Sequence, residues 1–175
     1  MRRIYSRGVT YFGGRFYGGW WQGLPSRYRP HITIDGYKTA EVDYSTMSLR
    51  LLYSKEGIKV PEKQDLYDIG LKGSKKYLTR ARELIKIYIN ALLNDESRRY
   101  RLKPGELDEL KLSHKELKDL VRKYHQPIVH LFGTGVGLEL MYLDSMIADE
   151  LMLFFRMEGI VLLPIHDSFI IRARL

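Results

Sequence analysis

The sequence predicts an α+β fold, with strands near both ends of the chain and helices between them. Residues 31–44 read as a hairpin in which HITID, the turn pair Asp35-Gly36 and KTAEVDY follow one another. A second hairpin is predicted from IVLLPI and FIIRAR, which are joined at His166-Asp167. In the intervening sequence apolar residues recur every three or four positions, which indicates amphipathic helices. We therefore expect a small antiparallel sheet backed by helices.

Four segments carry helix signals. A helix is predicted after Ser45, which is placed to cap it, and the clearest amphipathic helix covers residues 74–94. Residues 95–112 are the most polar stretch and are predicted to be a mobile connection with about one helical turn. Ser113 opens a capping-box pattern that starts the next helix. Residues 138–157 are apolar on most sides, so this helix is expected to lie buried against the sheet.

Length and composition limit the class of protein. The 175 residues are enough for one domain with its own core, and we expect a single domain 1–175 with 60–135 as a helical insertion. The sequence contains no cysteine, which excludes disulfides, thiolate catalysis and thiolate-bound metals. Neither a signal-peptide pattern nor an apolar run of membrane-spanning length is present, so we expect a cytoplasmic protein without a membrane partner.

The charge distribution indicates an anionic partner. The chain carries a formal net charge of +8, and six arginines but no acidic residue precede Asp35. Among these arginines lie the aromatic residues Tyr5, Tyr11, Phe12, Phe16, Tyr17, Trp20, Trp21 and Tyr28. Such a mixture suits contact with phosphates and stacking on bases, so nucleic acid is the expected partner. The alternative is that the aromatic rings belong to the core or to a protein interface and that the arginines are solvated.

Two aspartates are predicted to lie at strand ends. Asp43 ends the returning strand of the first hairpin, and Asp167 lies at the tip of the second. Paired carboxylates at adjacent strand ends can hold two divalent cations for phosphoryl transfer, and Mg²⁺ prefers such oxygen ligands. Mn²⁺ is the alternative ion. An aspartate at a strand end can also be a helix cap or a turn residue, and spacing alone leaves that alternative open.

The residues around both aspartates carry a family resemblance. The segment DYS at 43–45, followed by LR, resembles motif A of the family A DNA polymerases, which are similar to bacterial polymerase I. IHDSF at 165–169 resembles motif C of the same family. The segments GRF at 14–16 and QGLP at 22–25 are similar to its primer–template contact region. LDS at 143–145 resembles a segment of the related single-subunit phage and mitochondrial RNA polymerases.

The resemblance implies a minimal polymerase palm with a short fingers-like insertion. In it, Asp43 and Asp167 bind the metal ions and Tyr44 contributes its carbonyl oxygen. The implied activity is template-directed nucleotidyl transfer to a primer by a two-metal mechanism, with nucleoside triphosphates as substrates. A chain of this length has no room for a 3′–5′ exonuclease or a full thumb. We therefore expect low processivity, primase-like activity or a protein partner that supplies a thumb or clamp.

The resemblance also assigns residues to the nucleotide. Arg82 and Lys86 lie four residues apart on the predicted helix, match the pair that contacts the triphosphate, and make Lys86 a candidate proton donor to the leaving group. A solvated basic helix face is the alternative for this pair. Ser48 stands where DNA polymerases of the family have the glutamate that excludes ribose, which implies weak discrimination between ribo- and deoxyribonucleotides. Asn94 stands where a tyrosine is expected, which puts base-pair checking by this helix in doubt.

Five residues are candidate nucleic-acid contacts. They combine the primer–template segments with the basic N-terminal region and motif C, and they are Arg15, Gln22, Arg27, Arg29 and His166. The main alternative function is a non-catalytic nucleic-acid-binding module derived from a polymerase palm. An HD phosphohydrolase is disfavoured because the remaining histidines show no metal-binding framework, and the glycine-rich segments lack the Gly-Lys-Ser/Thr ending of a phosphate-binding loop.

Overall fold

Strands and helices occur in the α+β arrangement that the sequence predicts. A computed structural model of the protein describes residues 1–97 and 99–173. The chain forms two units: the first comprises residues 1–47 and 138–175, and the second comprises residues 48–137. The predicted insertion 60–135 lies inside the second unit. No helix in the described part of the chain is both long and apolar enough to span a membrane.

The first unit contains a four-stranded antiparallel sheet. Its strands are β3 (Thr33–Ile34), β4 (Tyr37–Asp43), β5 (Leu163–Ile165) and β6 (Ser168–Arg172), and their order in the sheet is β3-β4-β6-β5. The central pair joins segments from opposite ends of the chain, with Asp43 opposite Ser168. Both predicted hairpins are confirmed, although Arg174, in the predicted last strand, lies outside the described residues.

Both hairpin turns contain residues with positive φ. Asp35 and Gly36 have φ values of 53° and 77°, which match the two-residue turn whose twist suits antiparallel strands. In the second hairpin Ile165 pairs with Ser168, and His166 has a φ of 54°. The loop between these strands is thus only His166-Asp167, and Asp167 is held immediately beside the first residue of β6.

An apolar cluster fixes the N-terminal segment against the hairpin β5-β6. Ile32, Ile165 and Ile170 are buried together, and Trp21, Leu24 and Leu163 pack on them. The indole N–H of Trp21 donates to the carbonyl oxygen of Pro164 at 3.0 Å. Part of the aromatic N-terminal region therefore belongs to the core, as the alternative interpretation of that region proposes, whereas Trp20 and Tyr28 are exposed.

A second, two-stranded sheet is backed by the last helix. Strands β1 (Arg2–Tyr5) and β2 (Gly13–Tyr17) pair antiparallel, and helix α5 spans Gly137–Met157. The guanidinium of Arg3 donates to the Ser145 hydroxyl at 2.8 Å and to the Asp149 carboxylate at 3.2 Å. Helix α5 was predicted to be buried, but its C-terminal part exposes Leu153, Phe154 and Met157. That expectation is wrong for this part of the helix because apolar periodicity does not show which faces are covered.

Four more α-helices precede α5 within the ranges that the structure describes. Helix α1 (Met47–Lys55) runs from the end of residues 1–47 into the second unit, and α2 (Lys75–Asn94), α3 (Pro104–Leu110) and α4 (His114–Tyr124) lie within the second unit. The Ser74 hydroxyl caps α2 and the box of Ser113 and Glu116 caps α4, as predicted. Helix α3 lies in the stretch predicted to be mainly a mobile connection; it has two turns, and Arg98 of that stretch lies outside the described residues.

Helix α1 begins later than predicted. Thr46 has a φ of 56°, a conformation that is strained for a β-branched residue, and Met47 is the first helical residue. The helix therefore starts two residues after Ser45, the residue predicted to cap it. The strained residue sets the direction in which the chain leaves the strand that ends at Asp43, and such strain is often found beside functional sites.

A buried histidine links two helical segments of the second unit. The Tyr53 hydroxyl lies 3.1 Å from Nδ1 of His125, and the ring of Phe132 contacts the imidazole edge-on. Burial lowers the pKa of His125 to about 4, against a smaller opposing effect of the Leu66 backbone. This histidine is therefore neutral in the folded protein at neutral pH.

The lowered pKa of His125 predicts acid sensitivity. Above pH 6.5 both the folded and the unfolded states carry a neutral imidazole, and stability does not depend on this group. Between pH 6.5 and about 4 the unfolded state takes up a proton that the folded state rejects, which lowers the free energy of unfolding by about 3 kcal/mol. We expect urea unfolding across this range to show a shallower pH dependence in His125→Asn than in the wild type. Parallel curves for the two proteins would contradict this assignment.

Candidate two-aspartate site

Sheet pairing brings the two predicted aspartates to one end of the four-stranded sheet. Asp43 is the last residue of β4, and its cross-strand partner Ser168 directly follows Asp167. The Tyr44 amide donates to the Asp167 carbonyl oxygen at 3.4 Å, so the pairing extends one residue beyond the strand end. Asp43 is exposed and Asp167 is half-buried, so neither is locked inside a core. Residues 124 positions apart in the sequence thus form one acidic edge.

A side-chain hydrogen bond joins β4 and β6 close to this edge. The Ser168 hydroxyl donates to Oε1 of Glu41 at 2.8 Å, and the Arg29 guanidinium donates to the same oxygen at 2.7 Å. Glu41 lies two residues before Asp43 and therefore on the same face of β4. The charge of Arg29 neutralises this nearby carboxylate, so Arg29, a predicted nucleic-acid contact, is engaged within the protein.

A third aspartate lies near the hairpin tip. Asp144 is buried on α5 and its Oδ2 accepts from Nε of Arg15 at 3.0 Å. Burial raises the pKa of Asp144, the charge of Arg15 opposes this rise, and the negative charge of Asp167 raises the pKa further. Arg15 is the second predicted nucleic-acid contact that is engaged internally.

Asp144 was not among the predicted site residues, although its segment carries part of the family resemblance. The available signal was an acidic residue in a helix predicted to be buried, because a buried carboxylate requires a partner. The identity of that partner, 129 positions away, was not readable from spacing.

His166 occupies the hairpin turn next to Asp167. Its ring packs edge-on against Tyr17 with centroids 5.4 Å apart, and its Nδ1 is buried without a hydrogen-bond partner among the described residues. Burial lowers the pKa of His166, and the charge of Arg15 lowers it further, while Asp167 opposes them. The imidazole is therefore placed as a neutral, half-buried ring at the acidic edge.

The remaining predicted nucleic-acid contacts differ in their surroundings. The side-chain amide of Gln22 accepts from the Gly19 amide and donates to the carbonyl oxygens of Phe16 and Pro164, which makes it a support for the N-terminal segment. Arg27, in contrast, is exposed and lies over the Tyr28 ring with 4.7 Å between guanidinium and centroid. Of the five candidates, Arg27 has the most accessible charge.

Three predicted nucleotide-binding residues belong to the second unit. Ser48 is half-buried in α1, and Lys86 is exposed on α2. Arg82 is paired through two nitrogens with the Asp65 carboxylate and lies over the Tyr67 ring. Burial acts to raise the pKa of Asp65, but the hydrogen bond from Arg82 holds it below its usual value. Arg82 must leave Asp65 before it can bind a phosphate, whereas Lys86 is accessible.

The chemistry of the donor set at the acidic edge suits a hard cation. Carboxylate oxygens of Asp43 and Asp167 and the carbonyl oxygen of Tyr44 are the ligand type that Mg²⁺ prefers. Within residues 1–97 and 99–173 no group of three or more histidine or acidic side chains is arranged to hold a metal ion. A metal at this edge would therefore take its remaining ligands from water and from substrate phosphates.

Comparisons with protein-family models, curated proteins and solved structures find no match to this chain.

Proposed function

We propose that the protein is a template-directed nucleotidyltransferase that extends a primer with nucleoside triphosphates. The observation that carries the proposal is the pairing of β4 with β6, which sets Asp43 beside the turn that holds Asp167. Two carboxylates at neighbouring strand ends match the requirement of in-line phosphoryl transfer assisted by two metal ions. In this proposal the half-exposed edge admits substrate, and the ion pair of Arg15 with Asp144 keeps a third carboxylate from adding uncompensated charge.

The proposed reaction joins a primer 3′-hydroxyl to the α-phosphate of the incoming nucleotide. A bond forms between the hydroxyl oxygen and the α-phosphorus as the hydroxyl proton passes to solvent water, and the bond from that phosphorus to the pyrophosphate oxygen breaks. Bound Mg²⁺ or Mn²⁺ would supply charge neutralisation at the attacking and leaving oxygens. Asp43, Asp167 and the Tyr44 carbonyl would hold these ions. The family resemblance alone assigns the exposed Lys86 to the pyrophosphate, to which it would give a proton.

The nucleic acid is assigned to exposed basic and aromatic side chains of the first unit. Arg27 with Tyr28, and the exposed Trp20, combine an exposed cation with ring faces that can stack on bases. His166 offers a neutral ring next to Asp167. These same exposed rings favour the second candidate function, a non-catalytic nucleic-acid-binding module, which would retain this surface without the chemistry.

An extension assay tests the proposal. Primed and unprimed templates of DNA and RNA are offered NTPs or dNTPs separately, with Mg²⁺, Mn²⁺ or EDTA. We expect primer extension that requires a divalent ion, with products that lengthen by few nucleotides per binding event. Binding of nucleic acid without extension under every condition would favour the module instead. Because both functions predict salt-dependent binding, binding alone does not separate them.

We expect the small side chain of Ser48 to allow ribonucleotides to be used as substrates. Replacing it by glutamate places a longer, charged side chain where the resembled DNA polymerases exclude the ribose 2′-hydroxyl. We expect Ser48→Glu to shift the ratio of kcat/KM for dNTP over NTP by about tenfold or more in favour of dNTP. Ser48→Ala is the matched control, and its ratio should remain that of the wild type. Equal ratios in all three proteins would contradict the role of this position.

A further inference from the structure

A cavity in the second unit has the charge pattern of an anion-binding site. It has a volume of about 640 Å³, within the usual range for small-molecule sites, and is lined by residues of α2, α4 and the segments that flank them. Four of its lining side chains are permanent cations: Arg99, Arg101, Lys118 and Arg122. None of the lining residues is acidic. Like charges placed around one cavity repel each other unless an anion lies between them.

The spacing of residues along α4 places its two cavity-lining cations on the same side of the helix. His114, Lys118 and Arg122 follow one another at intervals of four residues, so they form one stripe on the helix surface. Arg99 and Arg101 approach the cavity from the connection that follows α2. None of the four cations forms an ion pair with an acidic side chain of the described residues, in contrast to Arg80 and Arg82 of α2. Their charges are therefore available to a ligand.

The cavity also offers hydrogen bonding and an apolar surface. Nδ1 of His114 is buried without a hydrogen-bond partner within the described chain, and its ring packs edge-on against Tyr88. Burial and the charges of Arg101 and Lys118 lower the pKa of His114, so the imidazole is neutral at pH 7. Val129 and Phe132 contribute apolar wall. His130, at the margin, lies 3.4 Å from the Glu56 carboxylate, which does not line the cavity.

We propose that this cavity binds a nucleoside di- or triphosphate, with the four cations on the phosphate chain and the apolar wall against the nucleoside. Several cations match the charge of a polyphosphate better than that of a single phosphate, and arginine grips phosphate oxygens through two nitrogens. All of the residues that line the cavity belong to the second unit, whereas Asp43 and Asp167 belong to the first, and the proposal uses neither aspartate. It therefore does not depend on the proposed polymerase function.

Binding of ATP in EDTA tests this proposal, because EDTA removes the contribution of divalent ions. Titration calorimetry compares the wild type with Lys118→Gln/Arg122→Gln. The control is Lys115→Gln/Lys123→Gln, which removes the same charge from exposed positions of the same helix that do not line the cavity. We expect the first variant to lose at least about tenfold in affinity and the control to bind within about twofold of the wild type.

Other outcomes would overturn the proposal. An equal loss of ATP affinity in both α4 variants would mean that binding depends only on the net charge of the protein. Absence of ATP binding by the wild type would show that the cavity is not a nucleotide site. AMP and adenosine should bind more weakly than ATP, because they offer the cations fewer charges. Tripolyphosphate binding as tightly as ATP would contradict the role of the apolar wall. Displacement of ATP by a single-stranded oligonucleotide at lower concentration than by unlabelled ATP would assign the cavity to nucleic acid instead.

Discussion

Replacement of Asp43 or Asp167 by asparagine is expected to reduce primer extension by about a thousandfold, which corresponds to roughly 4 kcal/mol of transition-state stabilisation. Asparagine preserves shape but removes the negative charge that a divalent cation requires. Both positions are at least partly exposed at the end of the sheet, so the fold should persist after either substitution. Circular dichroism, thermal unfolding and nucleic-acid binding should therefore remain close to those of the wild type.

Asp35→Asn is the matched control for both variants. Asp35 is exposed in the two-residue turn of the other hairpin of the same sheet, and asparagine tolerates its φ of 53°. The control should extend primers at the wild-type rate. Full activity of Asp43→Asn and Asp167→Asn would contradict the two-metal proposal, and loss of folding in both would mean that the aspartates are structural.

Replacement of Arg15 by glutamine is expected to lower the free energy of unfolding by about 3 kcal/mol, because it leaves the buried Asp144 without a neutralising charge. The Asp144 side chain is only 6% exposed and the Arg15 side chain 23%. The negative charge of Asp167 acts on the same carboxyl, which adds to the cost. Urea unfolding of the full chain measures the loss.

A second substitution separates charge from packing. If the cost of Arg15→Gln comes from the unpaired charge, the double variant Arg15→Gln/Asp144→Asn should recover most of the lost stability. Arg27→Gln removes the charge of an exposed arginine and should change stability by less than about 0.5 kcal/mol. An Arg15→Gln variant as stable as Arg27→Gln would contradict a structural role for the ion pair.

Local sequence signals predicted the hairpins and the capped helices correctly. The pair Asp35-Gly36 supplies the positive φ values that a short turn needs, and Ser74 and Ser113 accept the backbone hydrogen bonds that start helices α2 and α4. The sequence was less informative about where α1 begins and about the presence of α3. Thr46, with its positive φ, precedes the first residue of α1. Helix α3, with Pro104 in its first turn and the Lys103 amide donating to the Glu106 carboxylate at 2.9 Å, forms within a stretch whose polarity predicts a connection.

The candidate site was predictable in part. The motif resemblance located Asp43 and Asp167, but their proximity required the pairing of β4 with β6. Spacing could not show that Arg15 and Arg29 form ion pairs with Asp144 and Glu41, because these contacts join residues from different segments. The composition does not distinguish the arginines before Asp35 from one another. In the structure, some of them form ion pairs within the protein and others are exposed at the surface.

Iron-directed cleavage of the backbone tests the central claim most directly. Fe²⁺ substitutes for Mg²⁺ at oxygen-ligand sites and, with ascorbate and peroxide, generates hydroxyl radicals that cut the adjacent chain. We expect cuts near residues 43–44 and 166–168, suppressed by excess Mg²⁺, absent in Asp43→Asn/Asp167→Asn and retained in Asp35→Asn. Cuts confined to other parts of the chain, or an identical pattern in the double variant and the wild type, would contradict a divalent-cation site at the paired aspartates.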